Sequence, residues 1–149
     1  MKEVLADEQI AALLAKSKRP LHEVLTLASL VESEAKADKE RGIIADVFLN
    51  RLTKQMPLES CATVEYVLPE RKAVLTYEDT RVKSPYNTYL HPGLPPSPIC
   101  SPGKASIIAA LEPAGTDYLF FTARKNGTHY FGRTYAEHLA ATKKARSED

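Results

Sequence analysis

The sequence predicts an α+β fold, mostly helical, with long loops and a single late β-hairpin. Three observations predict it. Apolar residues recur at helical spacing in several separate stretches. Prolines crowd the segment from Met56 to Pro102, which argues for loop there. Asn126-Gly127 lies between two runs rich in aromatic and β-branched residues, a hairpin signal. With 149 residues and 44% hydrophobic content, the chain suits one domain with its own core.

In chain order, a short helix is expected around Glu8–Lys16, with a break at Pro20. Pro20 suits the first turn of the next helix, Leu21 to about Ala37. Asp38 can cap a further helix to about Gln55, on which Ile44, Val47, Phe48, Arg51 and Leu52 have helical spacing. Short helices are expected at Ala62–Leu68 and Thr76–Thr80 within the proline-rich stretch. Loops this long in a compact domain are functional or disordered, and Tyr66, Tyr77, Tyr86, Tyr89, Leu90 and Leu94 argue against disorder. Pro102 begins a helix to about Leu111. Tyr118–Arg124 and Thr128–Arg133 form the hairpin strands. A last helix runs from Thr134 to about Arg146, with Thr134 as cap and Glu137 in the capping-box position.

Composition excludes several functions. The net charge is +1, so no basic stripe asks for nucleic acid or an anionic membrane. Runs such as Leu25–Val31 and Gly42–Leu49 are far shorter than the roughly 20 residues of a membrane helix. Cys61 and Cys100 form no CxxC or Cys/His cluster, and no metal site is expected. The four histidines are scattered, without HExxH spacing. No GxSxG, GxGxxG or GxxxxGK[ST] is present, which disfavours serine hydrolase and phosphate-binding chemistry.

The residue that suggests chemistry is Glu32. At about 100° per residue it shares a stripe with Leu21, Leu25 and Ala28, whereas Glu34 lies on the opposite side with Glu23 and is expected to reach water. A carboxyl group on an apolar stripe is desolvated, stays protonated to higher pH, and can act as a general acid on a sugar. The competing reading is a buried ion pair with Arg41, Arg51 or Arg71. Asn50 and Arg51 fall in the apolar arc of the second long helix, where they either brace loop backbone or touch substrate. The run Ser84-Pro85-Tyr86-Asn87-Thr88-Tyr89 either lines a sugar site or anchors its loop to the core.

Several motifs in order resemble the YceG-like, MltG-type endolytic murein transglycosylases. They are Leu27 to Ala35, Glu40-Arg41, Val47 to Leu52, Met56 to Ser60, Thr63 to Tyr66, Ser84 to Tyr89, Gly93 to Pro96, Pro98-Ile99, Pro102-Gly103 and Thr116 to Phe121. The resemblance implies a lysozyme-like helical core and non-hydrolytic cleavage of the bond between N-acetylmuramic acid and N-acetylglucosamine. A single Glu protonates the glycosidic oxygen and then helps the muramyl 6-hydroxyl close on C1, leaving a 1,6-anhydro end. It implies Glu32 as that residue, with Ser33 orienting the acid or touching the N-acetyl group. It makes Asn50, Glu59, Ser60, Thr63, Tyr66, Tyr86, Asn87 and Tyr89 substrate-binding or supporting residues. No cofactor is implied. A lyase of the aminodeoxychorismate kind, a label sometimes attached to the family, would need a pyridoxal-binding lysine in a recognisable context, and none is found.

The family reads Gln at the position of Glu59, Asp at that of Cys61 and a small residue at that of Cys100. Glu59 therefore places a second acid near the cleft, able to raise the pKa of Glu32 by like-charge repulsion. Cys61 and Cys100, in two cleft-lining loops, suggest a disulfide, with two unpaired thiols as the alternative. A lysozyme-like muramidase, with Glu59 or Glu65 as second carboxylate, and a weakly active glycan-binding module are the alternatives. The resemblance implies residues 1–149 as one catalytic domain, with 1–20 a partial linker or helix from a preceding domain. It also implies an extracytoplasmic location, peptidoglycan strands as partner, possible contact with cell-wall synthases or divisome proteins, and a membrane anchor and LysM-like domain absent from this chain.

Overall fold

The structure, a computed structural model, describes residues 2–70 and 74–148. Its helices are α1 (Lys2–Leu5), α2 (Glu8–Lys16), α3 (Leu21–Glu34), α4 (Arg41–Thr53), α5 (Cys61–Val67), α6 (Lys104–Leu111) and α7 (Tyr135–Ser147). The strands β1 (Phe120–Ala123) and β2 (His129–Gly132) pair antiparallel, with Phe121 opposite Phe131 and Ala123 opposite His129. The α+β class expected from the sequence is the one observed.

Helix α3 is central. It packs against α4, α5 and α6, and its Val24, Leu27, Ala28, Leu30 and Val31 are buried. Phe48 and Ile44 of α4 and Ile107 of α6 close the core around it. Each such side chain removed from water contributes roughly 1.5–3 kcal/mol before entropy is charged against it. The stretch 1–20, expected as a linker or partial helix, carries α1 and α2. Asp7 caps α2 by accepting from the Gln9 and Ile10 amides, α2 packs on α6, and Ile10 lies fully inside the core.

Several boundaries differ from expectation. Helix α3 stops at Glu34, three residues early, where the Ala35 amide closes on the Val31 carbonyl. Asp38 does not cap α4; it opens a 3-10 turn, Asp38–Glu40, and its carboxylate pairs with Arg41 at 3.0 Å. The short helix expected at Thr76–Thr80 is a 3-10 turn at Asp79–Arg81, begun by reciprocal bonds between Thr76 and Asp79.

The hairpin turn is longer than a two-residue Asn-Gly turn. Arg124 N–H donates to the Thr128 carbonyl, Asn126 Oδ1 accepts from the Thr128 amide, and Gly127 takes the positive φ of 89°. Thr134 caps α7 as expected, through the Glu137 amide, but the Glu137 carboxylate reaches back to the Arg133 amide rather than to Thr134.

Candidate active site

The two acids of α3 exchange the environments expected of them. Glu32 points at the start of α6, where its Oε1 accepts from the Gly103 amide at 2.7 Å and the Ser106 hydroxyl at 3.3 Å. Its Oε2 meets Arg41 Nη1 at 3.3 Å. The Gly103 N–H, with Arg41 and Ser106 adding to it, holds the carboxyl below the usual range despite partial desolvation. The protonated acid expected at Glu32 is therefore corrected: of its two readings, the ion pair is the one observed, and Arg41 is the partner. Arg51 is engaged elsewhere, and Arg71 lies outside the described residues.

Glu34, expected in water, is desolvated. It ends α3, where carbonyl dipoles disfavour a negative charge. Its Oε1 accepts from Ser60 Oγ at 2.8 Å and from the Ala62 amide at 3.3 Å. Desolvation pushes its pKa up; those two bonds and His129 offset part of this, while Glu65 adds to it. Glu59 is not the like charge expected beside Glu32, because its carboxylate lies 3.4 Å from Arg51.

Glu34 lines a cleft of about 370 Å³ together with Arg51, Glu59, Cys61, Tyr89, His129 and His138. Thr122 and Phe121 of β1 form another part of its wall. Leu58, at 3% exposure, and Val47 make part of its apolar surface. Desolvation also lowers the pKa of His138, which stacks on Phe120 at 5.0 Å. A second hollow of about 360 Å³ is lined by Ser33, Ala62, Glu65, Tyr66, Ile99 and Cys100. Tyr66 is half exposed there and packs on Tyr86 with ring centroids 5.1 Å apart.

The remaining expected site residues divide into two groups. Ser60 touches Glu34, Tyr89 lines the cleft, and Ser33 and Tyr66 line the second hollow. Asn50, Thr63 and Asn87 are frame rather than surface. Asn50 Nδ2 donates to the carbonyls of Thr116 and Tyr118, so the bracing reading is the observed one. Arg51 likewise donates to the carbonyls of Leu119 and Pro57. Thr63 is fully buried, bonded to the Ser60 carbonyl and the Thr88 hydroxyl. Asn87, expected in the cleft, is fully buried; its amide donates to Thr80 and Val82 and its oxygen accepts from the Tyr89 amide. Tyr86 spends its hydroxyl on Ser97 at 2.6 Å.

Of the two readings of the cysteines, unpaired thiols are the one observed. Cys61 and Cys100 are free thiols. Cys61 Sγ pairs with Tyr89 OH at 3.2 Å in the first cleft, and Cys100 Sγ pairs with Ser33 Oγ at 3.6 Å in the second hollow. Each sulfur is thus turned to a different partner in a different hollow. Desolvation also pushes the Cys61 thiol up, which keeps it a thiol.

Sequence reasoning missed Glu34, His129 and His138 as cleft residues. For His129 a signal existed: period-2 alternation on β2 puts it on the same face as Phe131. For Glu34 none existed, because a helical wheel assigns faces without saying what covers them.

One desolvated carboxyl group in a cleft with a polar rim can donate a proton to a bond held there. The sequence model of the YceG-like family matches residues 1–144. The chain is 46% identical over 131 residues to an endolytic murein transglycosylase of Bacillus subtilis, covering 88% of this chain and 36% of that protein. It is 35% identical over 156 residues to an endolytic murein transglycosylase of Streptococcus pneumoniae, covering 91% of this chain and 28% of the relative. It superposes with a TM-score of 0.82 on the 2.6 Å crystal structure of a YceG-like protein from Listeria monocytogenes, at 45% identity, over 89% of this chain and 43% of that one. The chain thus spans about a third of the two named transglycosylases.

Proposed function

The chain belongs to the YceG-like family, and we propose that it is the catalytic domain, residues 1–149, of an endolytic murein transglycosylase that uses Glu34 as its general acid and base. One observation carries the assignment: Glu34 is the carboxyl group in the cleft whose protonated form is favoured by its surroundings. A general acid must hold its proton near the working pH. Glu32 is held as a carboxylate by Gly103 and Arg41, and is suited to bracing α6.

In this reading a glycan strand lies across the start of α5, with sugars in both hollows. Glu34 donates its proton to the oxygen between N-acetylmuramic acid and N-acetylglucosamine. Its carboxylate then takes the proton of the muramyl 6-hydroxyl as O6 bonds to C1, giving a 1,6-anhydro end. Ser60 Oγ and the Ala62 amide, already bonded to Oε1, stabilise the carboxylate between the two steps. Tyr66 offers an exposed ring face to a pyranose. Peptidoglycan outside the cytoplasm is the substrate in this reading. Membrane attachment and contact with synthases or divisome proteins belong to the longer protein it proposes; among the described residues no helix is long and apolar enough to cross a membrane.

The test is mass spectrometry of purified peptidoglycan digested with the wild-type chain and with Glu34→Gln. Anhydro ends from the wild type alone support the proposal. Reducing ends would instead favour a muramidase, in which Glu59 or Glu65 supplies the second carboxylate. Products from neither protein, with added preceding domains making no difference, would leave a glycan-binding module.

A further inference from the structure

Glu40 and His129 form a buried pair that the reaction above does not use. Their side chains are 9% and 4% exposed, and Glu40 Oε1 meets His129 Nδ1 at 3.0 Å. Glu40 Oε2 also accepts the His129 backbone N–H at 3.1 Å, so one carboxylate clamps both the strand and the ring. The ring is held between Phe121, edge-on at 5.3 Å, and Phe131 at 6.1 Å. Nδ1 is thereby committed to Glu40. Nε2 has no hydrogen-bond partner among the described residues and is not sealed from solvent, and His129 lines the Glu34 cleft. Nε2 is thus the ring nitrogen free to face that cleft.

The placement follows from the chain path. Glu40 ends the 3-10 turn that begins four residues after Glu34, so the strand it clamps is held beside the end of α3. The hairpin turn packs there too: a Cβ on Gly127 would lie 3.8 Å from the Lys36 Cβ.

We propose that the Glu40–His129 pair is a positioning device of the cleft: Glu40 fixes the imidazole, and the imidazole governs how readily Glu34 releases and recovers its proton. The proposal rests on Glu34 being the acid/base. His129 shares the cleft with Glu34 and favours its carboxylate, the form left after the proton has gone to the leaving oxygen. The other groups around Glu34 are Ser60 and the Ala62 amide, which also stabilise the carboxylate, and Glu65, which opposes it. Cys61 and Tyr89 bond to each other on the α5 side, and Arg51, Glu59 and His138 share the cleft. Among these groups His129 is the one held by a buried carboxyl group through both its backbone and its ring.

The experiment titrates the Glu34 carboxyl carbon by NMR in protein labelled with ¹³C-glutamate, the signal being assigned by its loss in Glu34→Gln. The comparison is wild type against His129→Asn, whose amide reproduces Nδ1 and keeps the Glu40 bond while removing Nε2. His129→Gln is the second variant, and Glu65→Gln is the control of opposite sign. The expected result is a Glu34 midpoint higher by about 0.5 pH unit or more in both histidine variants and lower in Glu65→Gln. The alkaline limb of kcat/KM moves up with it, kcat falls about tenfold, and KM stays. A Glu34 midpoint unchanged in folded His129→Asn and His129→Gln overturns the proposal. The titration needs no cleavage, so failure of the functional reading shows separately, as absence of anhydro ends from the wild type.

Discussion

Replacing each α3 acid by its amide separates catalysis from framework. Glu34→Gln keeps the Ser60 bond, since an amide can accept from or donate to the hydroxyl, and it removes the proton. A positioned acid contributes about 10²–10⁴-fold. Because the same group serves both steps, cleavage should fall by roughly 10³-fold or more, about 4 kcal/mol of barrier. The variant should not lose stability, because a desolvated carboxyl group is replaced by a neutral one. Glu32→Gln is the reverse case. Its amide oxygen still accepts from Gly103, but the charge opposite Arg41 is gone. The Glu32 side chain is 31% exposed, so solvent screening limits the loss to about 0.5–1 kcal/mol. That corresponds to a Tm lower by about 1–4 °C, with cleavage kept within a few-fold. The assays are anhydro-muropeptide release and thermal unfolding on the same preparations. If Glu32→Gln abolished cleavage at unchanged Tm while Glu34→Gln stayed active, the assignment from burial and hydrogen bonding would be refuted.

Further outcomes follow from the same contacts. Glu34 has a raised folded pKa, so its stabilising contribution is full at low pH and is lost as pH rises through that folded value; Glu34→Gln should therefore gain on wild type in urea denaturation above the usual carboxylate range. Glu32 has a lowered folded pKa, so its contribution is present above the usual range and is lost as pH falls through the folded value; the deficit of Glu32→Gln should vanish on acidification. Cys61 and Cys100 should both react with a thiol reagent in the unfolded protein without reductant, and a mass two daltons low would show the bridge instead. Thr63→Val removes a hydroxyl bonded to Ser60 and Thr88 in a site with no water access, and should cost about 1–3 kcal/mol by chemical denaturation; a neutral result would mean that the Ser60–Thr88 frame finds new partners.

Much of the framework was legible in the sequence because it is local. The apolar spacing of α3 and α4 located both helices, Thr134 announced α7, and Asn126-Gly127 marked the hairpin. Asn50 and Arg51, polar groups in an apolar arc, were readable as braces because buried donors need acceptors. The ordered motifs carried the family, which the matches bear out.

The chemistry of the two acids was not legible. Glu32 and Glu34 lie two residues apart on one helix, and periodicity alone gave the apolar stripe to Glu32. What decided their states came from far along the chain: Gly103 and Ser106 at the start of α6 hold one ionised, and desolvation by what packs around the end of α3 favours the proton on the other, against the bonds from Ser60 and Ala62. The pairing of His129 with Glu40, 89 residues away, is of the same kind. A sequence determines which face of a helix a side chain occupies. The dielectric surroundings and hydrogen-bond partners that set its charge belong to whatever the tertiary structure packs against that face.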